Sequence, residues 1–542
     1  MKLNIKHTII TVAIILIIIV AAASYFGNSK DTNPTHLVVT STGHMEEPKS
    51  GFNSLTGWGC GHLNFNPLIQ STLLTSDANG NMINDLATGY NISSDGLKWS
   101  VNIRNDVKFS NNDSLKANDV AFTFNTAKTS NSQLDMSNLD HATAIDEDTV
   151  EFTLKEAQSS FIYNLRYVGI VPEKDYNNET YGSNPIGSGP YKLKQWDKGQ
   201  QAIFEFNDNY YGKKPYFTQI TMLFPDESSV LELAKSSQAD VVQSPITGLN
   251  QTIKGYHLVN LPAGRAQGIS LPYINDTGLK TADGNPIGNN VTSDIAIRKA
   301  LNIGLNRQEI VDNVYHKFGS PEYSGVDSRD YGNSNATISD NNIEEAKKTL
   351  DEAGWVDTNG DGIREKNGQN ASFKLYYSSE DQARQSLATV VSEQAKELGI
   401  NIELQGTDWD TIYKNMFSSA ATMQQTSSDP YKSVYLQYHS KEAIDEDYMN
   451  PNSYNNTEVD SLLDKAKNST NQNQSNEYYK QAALISSNSG FGPAGDAPWL
   501  WVATYDHCYF VKDDIDMGDV PKNMGQDFLQ NICDWKRTNT TT

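Results

Sequence analysis

The chain has 542 residues, too many for one small core and suited to two or three domains. Its formal net charge of −23 repels the phosphates on which nucleic-acid binding depends and suits a solvated, exported protein. Three cysteines, Cys60, Cys508 and Cys533, exclude a disulfide-stapled scaffold, and the odd count leaves at least one thiol without a partner in its own chain.

At the start, Lys2 and Lys6 precede an uncharged apolar run from Ile9 to Ala23, which closes on Ala21-Ala22-Ala23-Ser24. A basic flank, an apolar stretch and small residues read as a signal peptide or an N-terminal membrane anchor. No cysteine follows directly to carry a lipid. Either outcome places the rest of the chain outside the cytoplasm, in a periplasm or at the cell surface. Lys30 to Thr35 is a polar linker, and His36 to Thr40 is the first strand.

The next feature is Gly57-Trp58-Gly59-Cys60-Gly61-His62. It offers a nucleophile–base pair, a metal site, or a glycine-rich loop whose backbone comes close to a ligand. Nothing basic lies nearby to hold Cys60 as a thiolate, so the enzyme reading is the weakest. Trp99, Val101 and Ile103 alternate as a half-buried strand, and so do Val150, Phe152 and Leu154. Between them, Val120, Ala121 and Phe124 recur at helical spacing within Ala117 to Lys128.

From Asp294 to Gly319 the pattern predicts two helices. Ile297, Ala300, Leu301 and Gly304 form one stripe; Ile310, Val311, Val314 and Phe318 form the second. Asn306 with Glu309 three residues on is an N-cap signature, and Gly319 is expected to stop the second helix in a left-handed conformation. Asp357-Thr358-Asn359-Gly360-Asp361-Gly362 opens like a calcium loop. The twelfth position, which should bring a bidentate carboxylate, is Gly368. A tight turn is therefore preferred over calcium at Asp357, Asn359 and Asp361, and no cofactor is expected.

Residues 371–405 read as strand, helix and strand. Phe373, Leu375 and Tyr377 alternate; Leu387, Val390, Val391, Ala395 and Leu398 keep helical spacing up to Gly399; Ile400, Ile402 and Leu404 alternate again. Such a unit implies a right-handed crossover in a parallel sheet, so the class is α/β with more than one sheet. No Gly-x-Ser-x-Gly elbow, phosphate loop or His-Glu-x-x-His helix occurs, and the nine histidines are scattered.

Several segments, taken in order, resemble the family-5 solute-binding proteins of peptide and nickel ABC importers. They are "LATGYNISSDGLKWSVNIRNDVKFSNNDSLKANDVAFTFN" (86–125), "DEDTVEFTLKEAQSSFIYNL" (146–165), "NPIGSGPYKLKQW" (184–196), "NDNYYGKKPYFTQITMLFPDESSVLELAKSSQADVV" (207–242), "AIRKALNIGLNRQEIVDNVY" (296–315) and "AKKTLDEAGWVDTNGDGIRE" (346–365). The resemblance implies a two-lobed, type II periplasmic-binding-protein-like fold, with an extra sub-domain in lobe one and a hinged ligand cleft. Mapped here, residues 35–75, 186–272 and 503–537 form lobe one, 76–185 its sub-domain and 273–502 lobe two. The partners it implies are a small ligand and the permease subunits of an ABC importer, with the receptor itself a monomer and not an enzyme.

The resemblance also points to a ligand. Peptide binders of this family place an aspartate four residues before a proline to hold the peptide amine. In "QQTSSDPYKS" that position is Thr426, and Asp429 stands next to Pro430 instead. Nickel-type members also lack that aspartate and keep Asp-Pro. The ligand is thus read as a short peptide or a nickel or other metal chelate, with Asp429 as an alternative amine anchor. "APWLWVATYDHCYF" (497–510) resembles the strand that returns to lobe one, and "GWGCGH" follows the first strand at the cleft mouth. Cys60, His62, His507 and Cys508 are therefore candidate metal ligands. Trp58, Trp409, Trp499 and Trp501 are candidate pocket walls, whereas Trp99 and Trp355 go to the core or the lobe surface. Arg265 precedes a crossing segment and is suited to hold a ligand carboxylate. Two alternatives of other classes stay open: a surface sensor or adhesin that kept the fold without transport, and a cysteine hydrolase at Cys60.

Overall fold

The computed structural model describes residues 33–41, 47–48, 50–56, 68–130, 135–442, 449–520 and 528–538. Trp58, Cys60 and His62 lie outside the described residues, as does the apolar run Ile9 to Ala23. Among the described residues no helix is long and apolar enough to cross a membrane.

An 11-stranded sheet runs through the molecule, and two long antiparallel strands, Tyr256–Ser270 and Trp499–Lys512, form its middle. On one side of this pair Val241–Gln243, His36–Thr40, Gln219–Leu223, Gln201–Phe206 and Tyr191–Asp197 follow in spatial order. On the other side lie Ala420–Gln425, Ser372–Ser378 and Asn401–Thr407. The long strands feed two separate cores. Leu261, Tyr509 and Val511 pack with Leu37, Val39 and Ile220, whereas Ile269, Leu500 and Val502 pack with Leu375, Val391 and Leu301. Two cores joined by two continuous strands make a two-lobed molecule with a hinge in the sheet itself.

The register of the long pair slips between Leu261 and Arg265, where Pro262, Ala263 and Gly264 stand opposite Asp506. Pro262 has no N–H to give to the ladder, and Gly264 takes a positive φ of 57°. The bulge bends the strand and re-aims the residue that follows it, Arg265.

A second, four-stranded antiparallel sheet runs in the order Ala87–Ile92, Lys98–Ile103, Thr149–Leu154, Leu139–Ala144. The helix Ala117–Thr129 covers it, and Trp99, Val101, Ile103, Val150, Phe152 and Leu154 all enter one core with Val120 and Phe124. The alternation visible in the sequence is the burial pattern of these strands.

The strand–helix–strand unit forms as expected: Ser372–Ser378 and Asn401–Thr407 pair in parallel, joined by the helix Gln382–Glu397, with Gly399 at a φ of 77° just past it. Trp355 is buried in the same core, its indole N–H donating to Asp294 Oδ2 over 3.0 Å.

Two helices, Ile295–Gly304 and Arg307–Val314, occupy the predicted segment, and Asn306 caps the second by accepting from Glu309 N at 3.0 Å. The reciprocal bond comes from elsewhere, because Asn306 N donates to Gln394 Oε1. Gly319 is not the helix stop. The left-handed turn falls on His316 and Lys317, at φ values of 52° and 72°. Gly319 instead opens the short strand Gly319–Pro321 against the long strand, where a Cβ would lie 2.1 Å from the Thr504 carbonyl oxygen. Close approach of two backbones, not a left-handed φ, requires glycine there.

Candidate ligand cleft

A cavity of about 580 Å³ opens where the lobes meet. Lobe one supplies Glu227, beyond the strand Gln219–Leu223, and Gln243 with the four residues after it. Lobe two supplies Ser378 and Glu380 to Ala383, at and beyond the end of Ser372–Ser378, together with Trp409 and Gln424. The hinge strands supply Arg265, Gln267 and Tyr505 as the floor. Most of these residues follow the carboxyl ends of parallel strands, the usual ligand position in α/β sheets.

Arg265 is 2% exposed. Its Nη1 donates to His507 Nε2 at 3.0 Å, and its guanidinium carbon lies 5.9 Å from the Tyr505 ring centre. Its Nε has no hydrogen-bond partner, and no ion pair to Arg265 is found among the described residues. A guanidinium has only donors, so Nε2 of His507 must accept, which makes His507 neutral with its proton on Nδ1. Tyr505 and His507 stack at 5.8 Å, because residues two apart share a strand face. Burial raises the Tyr505 phenol above its ordinary range.

A second arginine, Arg384, stands behind the cavity wall and is already satisfied. Arg384 gives Nε to Asp381 Oδ2 at 3.0 Å and Nη1 to the Thr422 carbonyl at 2.8 Å, and it stacks 4.7 Å over Trp409. Trp409 thus forms cavity wall on one side and holds Arg384 on the other.

The remaining sequence candidates fall in other places. Trp499 and Trp501 stack on each other at 4.7 Å inside a lobe-two core, with Trp501 Nε1 donating to the Tyr438 hydroxyl. A Cβ on Gly268 or Gly325 would lie 2.5 or 2.7 Å from the Trp501 ring, and neither indole lines the cavity, so the two are packing rather than cavity wall. His507 and Cys508 do not converge: neighbours on a strand face opposite ways. Cys508 follows the Phe510 side, with its Sγ 3.8 Å from Asn260 Oδ1, and burial pushes its thiol up to about 12. Cys508 and Cys533 are both free thiols.

Neither Thr426 nor Asp429 is among the described residues lining this cavity. Thr426 is half-buried. Asp429 is 4% exposed and accepts from Tyr431 N at 2.8 Å. Burial pushes its carboxyl up to about 6 against the pull of Lys432, the Tyr431 N–H and the Ser160 hydroxyl. Ser160 comes from the domain of the four-stranded sheet, so Asp429 sits at a contact between that domain and lobe two. In the 357–362 loop, carboxylates of Asp357, Asp361 and Glu365 lie within 4.8 Å of one another. They accept from loop N–H groups and from Asn359, as in a tight Asx-type turn.

Sequence reasoning missed the cavity residues Glu227, Glu380, Asp381 and Tyr505, and Arg384 behind Trp409. The signal was present for those at Glu380 to Arg384: they lie just past a strand whose parallel pairing the pattern predicts.

The described geometry has close relatives. A family model for bacterial extracellular solute-binding proteins, family 5, matches residues 81–483. The oligopeptide-binding protein AppA of Bacillus subtilis is 28% identical over 461 residues, covering 81% of this chain and 82% of that protein. Its structure in complex with a nonapeptide superposes with a TM-score of 0.68 at 25% identity, over 93% of this chain and 99% of the other. The nickel-binding periplasmic protein of Escherichia coli is 28% identical over 361 residues, 64% of this chain and 67% of its own. NikZ from Campylobacter jejuni, solved with Ni(L-His), superposes with a TM-score of 0.73 at 20% identity, over 93% of this chain and 100% of that one.

Proposed function

The chain belongs to the bacterial extracellular solute-binding proteins of family 5, and we propose that it is the receptor of an ABC importer that captures a short peptide or a nickel or other metal chelate between its lobes. The family is one of binding proteins, with relatives named for oligopeptide and for nickel binding. The segment Ile9 to Ala23 exports the protein or anchors it at the outer face of the membrane. The five ranges given above for lobe one, its sub-domain and lobe two are its moving parts.

A ligand that touches both lobes and the hinge stabilises the closed state by its differential affinity for that state. The closed receptor then docks on a membrane permease, and no bond of the ligand is made or broken. Arg265 and Trp409 are the sequence candidates assigned to the ligand here, and His507 acts through Arg265. The observation that carries the reading is Arg265: a buried cation at the hinge, lining an interlobe cavity, with no ion pair among the described residues.

Thermal denaturation of the purified chain tests it. Short peptides or a nickel–histidine complex at a hundredfold excess over Kd should stabilise the protein by about 2.7 kcal/mol through mass action. A melting temperature that neither ligand type moves contradicts the receptor reading.

A further inference from the structure

We infer that Glu227 and Glu380, one from each lobe, receive the cationic group of a ligand whose carboxylate meets Arg265, so that the cleft selects a zwitterion. This rests on the receptor reading above and gives it a ligand chemistry.

Charges of both signs line one cavity. Arg265 is buried at its floor, and its Nε has no hydrogen-bond partner among the described residues. A carboxylate entering the cavity would meet a guanidinium that has no ion pair among the described residues and could hold it by charge-assisted hydrogen bonds. Three carboxylates of the chain share the cavity, Glu227, Glu380 and Asp381. Asp381 is committed: it caps the helix Gln382–Glu397 by accepting from Arg384 N at 3.0 Å, and it pairs with Arg384 Nε at 3.0 Å. Glu227 and Glu380 are exposed on the cavity walls, and neither has a side-chain hydrogen bond or ion pair among the described residues.

The placement of these two matters as much as their charge. Glu227 follows a lobe-one strand and Glu380 a lobe-two strand, so closing the lobes brings two like charges toward each other. Their repulsion grows as water leaves the cleft. An empty closure is therefore opposed, and a closure around an ammonium or a chelated divalent cation is favoured. Recognition of positive charge and closure of the hinge become one event. A free short peptide and a carboxylate-bearing metal chelate both offer this pairing of charges.

Isothermal titration of the purified full chain tests the assignment with four probes: trialanine, N-acetyl-trialanine, trialanine amide and a nickel(II)–histidine complex. The expected result is that trialanine or the nickel complex binds on the order of tenfold or more tighter than either capped peptide. The paired change Glu227→Gln and Glu380→Gln should remove that advantage and leave N-acetyl-trialanine unchanged. Arg265→Lys should remove the discrimination between trialanine and its amide. Preference for trialanine names a peptide as the source of the charge pair, and preference for the nickel complex names a chelate. A double variant that keeps the full wild-type preference overturns the inference and leaves the receptor reading standing. A wild-type protein that binds none of the four probes overturns the receptor reading, and the inference with it.

Discussion

Nη1 of Arg265 lies 3.0 Å from Nε2 of His507, and this bond fixes what each residue can offer a ligand. The imidazole lone pair at Nε2 is spent on the guanidinium, so His507 cannot also give that atom to a metal. The guanidinium, held by a neutral partner, keeps its full charge for an anion. The bulge at Pro262 to Gly264 sets up the contact, because it places Arg265 opposite Tyr505 rather than continuing the register of Leu261 with His507.

Replacing Arg265 with methionine should separate binding from stability. Loss of a charge-assisted pair is expected to weaken the tightest of the four probes by about 2–3 kcal/mol. Removing a buried cation that has no ion pair among the described residues should leave the ligand-free protein as stable as before, or more so. Titration calorimetry and urea unfolding of the ligand-free protein read the two effects independently.

Asp429 should make stability depend on pH in a defined direction. Its folded pKa, about 6, stands above the ordinary 3.8, so the folded state holds the proton more tightly. Its stabilising contribution is complete below about pH 4 and is lost as pH rises through 6. The span corresponds to at most about 3 kcal/mol. Asp85, also pushed up to about 6 by burial, acts in the same sense. Asp429→Asn should flatten the fall in unfolding free energy between pH 4 and 7, measured by urea titration at several pH values.

Gly319→Ala should destabilise the protein by about 1–3 kcal/mol, the cost of forcing a methyl into a packed contact. The added Cβ would meet the Thr504 carbonyl oxygen at 2.1 Å, and that backbone belongs to a hinge strand. The same substitution at Gly199, whose φ is 75° but whose Cβ would meet nothing within 4 Å, should cost only about 1 kcal/mol. The midpoints of urea unfolding compare the two.

Cys508 and Cys533 should be inert in the folded protein. Burial pushes both thiols up to about 12, and the thiolate is the reactive form. A thiol reagent at pH 8, followed by peptide mapping, should label these positions only after denaturation.

Parts of this molecule are written locally, and those parts were legible. Phe373, Leu375 and Tyr377 alternate because one sheet face is buried, and the helix after them ends at Gly399 because a left-handed residue is needed there. Asn306 caps its helix through a bond three residues away. What distant segments decide was not legible. Trp499 and Trp501 look like ligand walls in a list of aromatics, yet Gly268, Gly325 and Tyr438 enclose Trp501 from other elements. Gly319 has the right spacing for a helix stop, but the hinge strand claims it. His507 and Cys508 adjoin in sequence and part in space, since a strand sends neighbours to opposite faces. The acidic walls at Glu227 and Glu380 meet only because two lobes share one sheet.

Arg265 is proposed to hold a carboxylate-bearing ligand between the lobes. Native mass spectrometry of the protein as purified, beside its Arg265→Met variant, tests this most directly. The wild-type protein should carry a short peptide or a metal chelate, each with a free carboxylate, and the variant should come off the column empty. An equally loaded variant, or a retained ligand without a carboxylate, would contradict it.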